Sequence, residues 1–197
     1  MHEQQAAILV IASRVLGYPE ETFHQDLTEI EESIQEFPGD LCEAILGSIM
    51  PLKTTLLKDL RETYVATFDL KKNVGLYLTA HELGDSPKRG AALIWLQKTI
   101  NQAGFDRIDN ELADYMPMLY ELLAISPIRD QERMVRRLAA ATHRILIHLP
   151  QENPYYGIFK NLMSFVFPTP TAEEIQKLEQ DREEADLEPM PYPIMYQ

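Results

Sequence analysis

Two short stretches set side chains able to bind a metal or move a proton at helical spacing. Glu21-Thr-Phe-His24 has the Glu-x-x-His spacing of di-iron bundles, in which a carboxylate and an imidazole three residues apart share one helix face. Such a centre needs a second copy of the element and two further carboxylates. The sequence holds a single copy, so this stretch reads as an exposed amphipathic helix. His81-Glu82-Leu-Gly-Asp85 sets an imidazole and a carboxylate about one turn apart, which is ligand-like geometry without a convincing third ligand. The structural account makes Asp85 the N-cap of a helix opening at Ser86-Pro87, because an aspartate satisfies free N–H groups and proline is tolerated in the first turn. The two roles can coexist.

Other chemistries lack their signatures. There is no Gly-rich phosphate loop, no Walker-type Gly-Lys-Ser/Thr and no nucleophile elbow, so neither nucleotide binding nor acyl transfer is indicated. The single cysteine, Cys42, excludes an intramolecular disulfide and a cysteine-based metal site, and a cytosolic chain fits this usage. Cys42 stands at helical spacing with Ile45 and Ile49, as a core thiol would. A formal net charge of −13 repels nucleic acid unless a basic stripe offsets it. Arg129, Arg133, Arg136, Arg137 and Arg144 cluster, but among apolar positions of one helix and beside Asp130 and Glu132, which reads as a solvated helix face. The acidic balance suits a basic peptide or protein and argues against attachment to anionic lipid. The apolar start has no basic region before it and stops at Arg14 and Gly-Tyr-Pro; neither a signal peptide nor direct membrane insertion is expected.

The elements that must position these residues are helical. Ile8, Ile11, Ala12 and Val15 fall on one stripe that Gly17 and Pro19 close, the i, i+3, i+4, i+7 pattern of an amphipathic helix. The same template fits Leu57 to Phe68, Leu93 to Ala103, Tyr115 to Leu122, Met134 to Leu149 and Ile158 to Phe165. Shorter helices over 22–36 and 40–49 are separated by Phe37-Pro38-Gly39, with Asp40 as a candidate N-cap. Val74 to Thr79 could form a strand, but a lone strand has nothing to pair with, so it reads as loop or short helix. The fold class is therefore all-α, one compact helical bundle over residues 1–170.

Residues 171–197 form an acidic, Pro-rich tail. Eight carboxylates between Glu173 and Glu188 face only Lys177 and Arg182. Thr171 and Glu174 make a capping box for a solvated helix, and Glu188-Pro-Met-Pro-Tyr-Pro cannot continue it because proline removes backbone donors. Such an end is expected to be mobile, and its Met190, Tyr192, Ile194 and Met195 could fold back onto a binding surface.

The middle of the chain carries a resemblance. YVATFDL (64–70), LYLTAHELGDSPKRGAALIWLQ (76–97), GF (104–105) and ELADYMPMLYELLA (111–124) are similar in order and spacing to the central motifs of the NarJ family, the delta-subunit chaperones of respiratory nitrate reductase within the wider TorD-like group. With weaker likeness on both sides the resemblance spans about residues 5–168. Where the family pattern tends to read ELPDYLP, this chain has Ala113 and Met116, a change expected to loosen the start of that helix and leave its apolar face alone.

The resemblance implies an assembly chaperone, without cofactor or metal of its own and not an enzyme. It would hold the N-terminal peptide of the nitrate reductase catalytic (alpha) subunit in the cytoplasm while the molybdenum cofactor is inserted, in contact with molybdenum cofactor biosynthesis proteins, and would not stay in the finished enzyme. A peptide that folds as a helix on binding needs an apolar groove with charges at its rim. Within the matching segments Tyr64, Phe68, Leu76, Tyr115, Leu119 and Leu122 offer the apolar surface. Asp69, His81, Glu82, Asp85, Glu111 and Asp114 offer acidic or hydrogen-bonding groups, and Arg89 is expected to pair with Asp85 and fix the loop. Two alternatives stand beside this reading: a chaperone for another molybdenum oxidoreductase, and a small helical metal-dependent enzyme.

Overall fold

The computed structural model describes residues 3–105, 111–126 and 131–187, with the side chains of 181–187 left aside. Its elements are helices: α1 (Glu3–Val15), α2 (Phe23–Ser33), α3 (Gly39–Thr54), α4 (Leu57–Tyr64), α5 (Leu78–Leu83), α6 (Arg89–Gln102), α7 (Met116–Ile125), α8 (Gln131–His148), α9 (Tyr156–Asn161) and α10 (Ala172–Leu187). The all-α class read from the 3.6-residue period is what the described residues show.

Each apolar stripe faces one shared core. Ile8, Leu9, Ala12 and Val15 of α1 are buried, and α1 lies along α7, whose Leu119, Tyr120, Leu122 and Leu123 are buried in turn. α3 packs on α9 at a close approach that glycine permits: a Cβ on Gly157 would stand 2.8 Å from the Ser48 Cβ and 2.9 Å from its Cα. Two helices end in a π-turn, Val65–Asp69 after α4 and Leu162–Val166 after α9. In each a backbone N–H reaches back five residues, Leu70 to Val65 at 3.3 Å and Phe167 to Leu162 at 2.9 Å. The first turn carries Thr67 and Phe68 inward and leaves Asp69 outside.

Helix ends depart from the sequence reading at two places. α3 starts at Gly39 with Pro38 at its N-cap, and no side chain caps it; Asp40 therefore lies in the first turn, where its charge still complements the helix dipole. It also runs through Pro51 to Thr54, beyond the expected 49. α6 starts at Arg89, and the capping group before it is the Ser86 hydroxyl, which accepts the Lys88 N–H at 3.2 Å. Asp85 is exposed and pairs instead with Lys72 at 3.4 Å. The cap expected at Asp85 thus belongs to Ser86, and Gly84, at φ 52°, makes the turn that separates α5 from it, a backbone state in which a side chain is strained.

The capping box at the start of α10 is present: the Thr171 N–H donates to Glu174 Oε2 at 2.8 Å and the Glu174 N–H to Thr171 Oγ1 at 3.2 Å. α10 lies on α5 and α8. The Pro-rich end after it, with Met190, Tyr192, Ile194 and Met195, lies outside the described residues, as do Arg129 and Asp130. No helix among the described residues is long and apolar enough to cross a membrane.

Candidate functional site

The segment 76–78 is fastened to 114–116 by a two-residue antiparallel bridge, in which the Leu78 N–H donates to the Asp114 carbonyl at 2.9 Å and the Met116 N–H to the Leu76 carbonyl at 2.8 Å. The bridge sets Tyr77 beside Tyr115, ring centres 5.6 Å apart. α4 and its π-turn bring in Tyr64, Phe68 and Asp69, and the loop after α1 brings in Tyr18. These residues, with Leu76 and Glu111, line a cleft of about 320 Å³. Six residues named from the sequence are thereby gathered at one place: Tyr64, Phe68, Asp69, Leu76, Glu111 and Tyr115.

Hydrogen bonds hold its walls. The phenols of Tyr64 and Tyr115 both reach the Leu16 carbonyl, at 3.1 and 3.3 Å, and stand 3.2 Å from each other. Tyr77 donates to Glu111 Oε2 at 3.0 Å. Tyr64 meets Tyr18 edge-on at 5.5 Å and Phe68 at 5.0 Å, the geometry aromatic rings prefer. Burial pushes the Tyr64, Tyr77 and Tyr115 phenols above the ordinary tyrosine value, with the Glu111 hydrogen bond adding to the rise at Tyr77. They are neutral donors at any physiological pH. At the rim Asp69 and Glu111 are exposed, Tyr18 is 45% exposed and Leu70, next to Asp69, is 75% exposed.

Under this cleft lies a buried ionic network. Asp114 is 0% exposed. Its Oδ2 accepts from the Thr79 N–H at 3.2 Å, from the Thr79 hydroxyl, and from Arg89 Nη2 at 3.2 Å. Arg89 Nε donates to the same Thr79 hydroxyl at 2.9 Å. The expected Arg89–Asp85 pair is thus replaced by Arg89–Asp114, because Asp85 turns outward to Lys72. Asp114 caps α5 from across the chain.

The remaining named residues lie elsewhere. His81 is buried and its Nε2 donates to the Gly75 carbonyl at 2.7 Å. Glu82 faces the far side of α5, where its two oxygens take Arg137 Nε and Nη2 at 2.6 and 2.7 Å. Leu119 and Leu122 belong to the core. Glu21 pairs with Arg61 at 2.9 Å and His24 contacts the Thr55 carbonyl at 3.0 Å, so both ends of the Glu-x-x-His element have structural partners. Among the described residues no three metal-capable side chains cluster.

Comparison with known proteins finds similarity to assembly chaperones. A probable nitrate reductase molybdenum cofactor assembly chaperone, NarJ of Bacillus subtilis (strain 168), is 28% identical over 146 residues, covering 74% of this chain and 79% of that protein. NarJ of Escherichia coli (strain K12) is 28% identical over 158 residues, 79% of this chain and 67% of its own length. By sequence, the chain is similar to NarJ-type assembly chaperones over about three quarters of its length. The probable chaperone NarW of Escherichia coli (strain K12) is 24% identical over 131 residues, 66% of this chain and 57% of NarW. No family model matches the chain.

Within the cleft, sequence reasoning missed Tyr18 and Tyr77. Tyr77 lies inside a quoted motif, next to Leu76, which shares the cleft with it. Tyr18 belongs to the Gly-Tyr-Pro that ends α1, where an aromatic in a turn was read only as a helix stop.

Proposed function

We propose that this protein is an assembly chaperone for a molybdenum-dependent nitrate reductase, acting in the cytoplasm by binding rather than by catalysis, and that it grips the N-terminal peptide of the catalytic subunit at the tyrosine cleft. The observation that carries the reading is the cleft itself: an aromatic pocket lined by neutral phenols with two carboxylates at its mouth, built, apart from Tyr18, from the segments that carry the resemblance. Its volume suits one or two anchoring side chains rather than a whole helix, so the apolar face of an amphipathic helix would insert its anchors among Tyr18, Tyr64 and Tyr115. Basic residues on that helix would meet Asp69 and Glu111. Exposed Leu70 extends the apolar rim along which the helix lies. The chaperone would leave before the enzyme is complete.

The test is calorimetric titration with a synthetic peptide of the nitrate reductase catalytic subunit's N-terminus, against a scrambled control. Saturable binding of the native peptide, weakened about tenfold by Tyr18→Ala and about two- to fivefold by Asp69→Asn, is expected from the loss of an aromatic anchor and of one rim charge. Tyr18 and Asp69 are exposed enough to be changed without unfolding the chain. Equal heats with both peptides, or affinity indifferent to Tyr18, would remove the cleft from the reading. Binding only to peptides of other molybdenum oxidoreductases would reassign the client.

A further inference from the structure

A second cavity, of about 520 Å³, opens between α5, α6, α8 and α10. Its chemistry is the reverse of the tyrosine cleft. Four cations line it, Arg133, Arg136, Arg137 and Lys177, against the carboxylates of Glu82 and Glu174, in a chain whose net charge is −13. Glu82 neutralises Arg137 through two short hydrogen bonds. Arg137 and Arg133 both stand over the Trp95 ring, at 5.3 and 5.5 Å from its centre, and this stacking fixes the guanidinium groups while leaving Arg133 without a carboxylate partner among the described residues. Arg136 reaches Glu174 on α10 at 3.2 Å and Glu132 on its own helix at 3.4 Å.

The roof of this cavity is weakly attached. None of the α10 residues whose side chains are described is buried, and the Arg136–Glu174 pair is exposed at the arginine and only half-buried at the glutamate, a setting in which ion pairs contribute little. Half-exposed Leu178 and the stem of Lys177 close the opening. With the Glu82 carboxylate held by Arg137, it is the Glu174 carboxylate that reaches from α10 into a space large enough for a small organic molecule.

We propose that this cavity is a second binding site, for a soluble phosphate-bearing ligand, and that α10 is its lid, with the Glu174 carboxylate holding the place of the anion. Planar guanidinium forks match phosphate oxygens two at a time, and Trp95 with Leu83 and Ala92 supplies an apolar wall for the rest of the ligand. Binding exchanges the Arg136–Glu174 contact for Arg136 and Arg133 on phosphate, and α10 yields. The site is independent of the tyrosine cleft and of any peptide bound there.

Inorganic pyrophosphate serves as the probe, titrated calorimetrically into the full chain at low ionic strength. One saturable site is expected. Glu174→Gln should tighten it about two- to fivefold, the size of an exposed ion pair removed from competition; glutamine also serves at this position of a capping box, so α10 keeps its start. Arg133→Gln combined with Arg136→Gln should weaken binding at least about tenfold, while Lys58→Gln, a surface lysine on α4, should not change it. Pyrophosphate should also speed amide hydrogen exchange across residues 172–187. No saturable heat with the Glu174→Gln chain up to about a millimolar would overturn the proposal. So would equal losses from Lys58 and the arginine pair, unchanged or slowed exchange in α10, or association only with phosphatidylglycerol vesicles. If the double arginine variant fails to fold, the Glu174→Gln titration and the exchange measurement decide alone.

Discussion

Replacing Arg89 by alanine tests the network beneath the tyrosine cleft. Asp114 is fully buried, and Arg89, its only cationic partner among the described residues, is 24% exposed on its side chain. The substitution deletes two hydrogen bonds, Nε to the Thr79 hydroxyl and Nη2 to Asp114 Oδ2. A hydrogen bond to a charged group is worth about 1.5–3 kcal/mol, and stranding one partner of a buried ion pair costs about 3–5 kcal/mol. Two features lower the figure here. Thr79 still gives Asp114 its N–H and hydroxyl, and water can enter where the partly exposed arginine was. An overall loss of about 2–3 kcal/mol follows, a large share of the roughly 5–15 kcal/mol that holds a domain folded. The assay is urea unfolding followed by circular dichroism, with Asp114→Asn and the double variant completing a cycle. Coupling between the two sites should exceed about 1 kcal/mol. A loss under about 0.5 kcal/mol for Arg89→Ala, or additive single effects, would mean that the pair does not hold α5 and that the account of the cleft's floor is wrong.

Other predictions follow from single contacts. The Tyr64, Tyr77 and Tyr115 phenols have folded-state values above the ordinary tyrosine value. Their contribution is therefore full below about pH 10 and is lost as pH rises beyond it, where the unfolded chain releases protons that the folded chain keeps; urea titrations between pH 8 and 11 should show that fall, and Tyr64→Phe should flatten it. Gly157→Ala forces a Cβ to within 2.8 Å of Ser48 and should destabilise by about 1–3 kcal/mol, as overpacking does, measured by thermal unfolding. Ser86→Ala should cost about 1 kcal/mol through the lost cap at Lys88 whereas Asp85→Ala should stay within about 0.5 kcal/mol; the reverse ranking in urea unfolding would restore Asp85 as the cap.

The helices were legible in the sequence because burial imposes a period, and Ile8, Ile11, Ala12 and Val15 or Leu57, Leu60 and Tyr64 repeat it without interruption. Their ends were less so. Asp40 and Asp85 have the right chemistry for caps, yet a cap is chosen by where the backbone turns, and Pro38 and Gly84 set those turns. The candidate site was legible in composition but not in pairing. Arg89 meets Asp114 across 25 positions while Asp85 lies four away, and local proximity suggested the wrong partner. Tyr18 joins the cleft only because α1 ends beside α4, a tertiary fact that no spacing rule contains. The arginine cluster of α8 read as a solvated face; Arg133 is indeed exposed, but Trp95 comes from α6 to organise it, and that meeting is again long-range.

Both candidate sites turn on α5, and its length explains why it needs help. Six residues give less than two helical turns, far below what sustains a helix by itself. Asp114 fixes its first turn through the Thr79 N–H, and Arg137 fixes its outer face through Glu82. The bridge at Tyr77 anchors the chain just before it, and Gly84 releases the chain just after. Leu76 and Tyr77, which enter the tyrosine cleft, are therefore held by partners supplied from the α7 side, while Glu82, on the same short helix, neutralises a cation of the second cavity. A side chain that shifts Asp114 moves the cleft wall; one that shifts Arg137 alters the charge facing α10. The division of labour along α5 follows from which neighbour supplies each partner: Asp114 holds the end that follows the cleft residues Leu76 and Tyr77, and Arg137 holds the end that enters the basic, Trp-lined cavity.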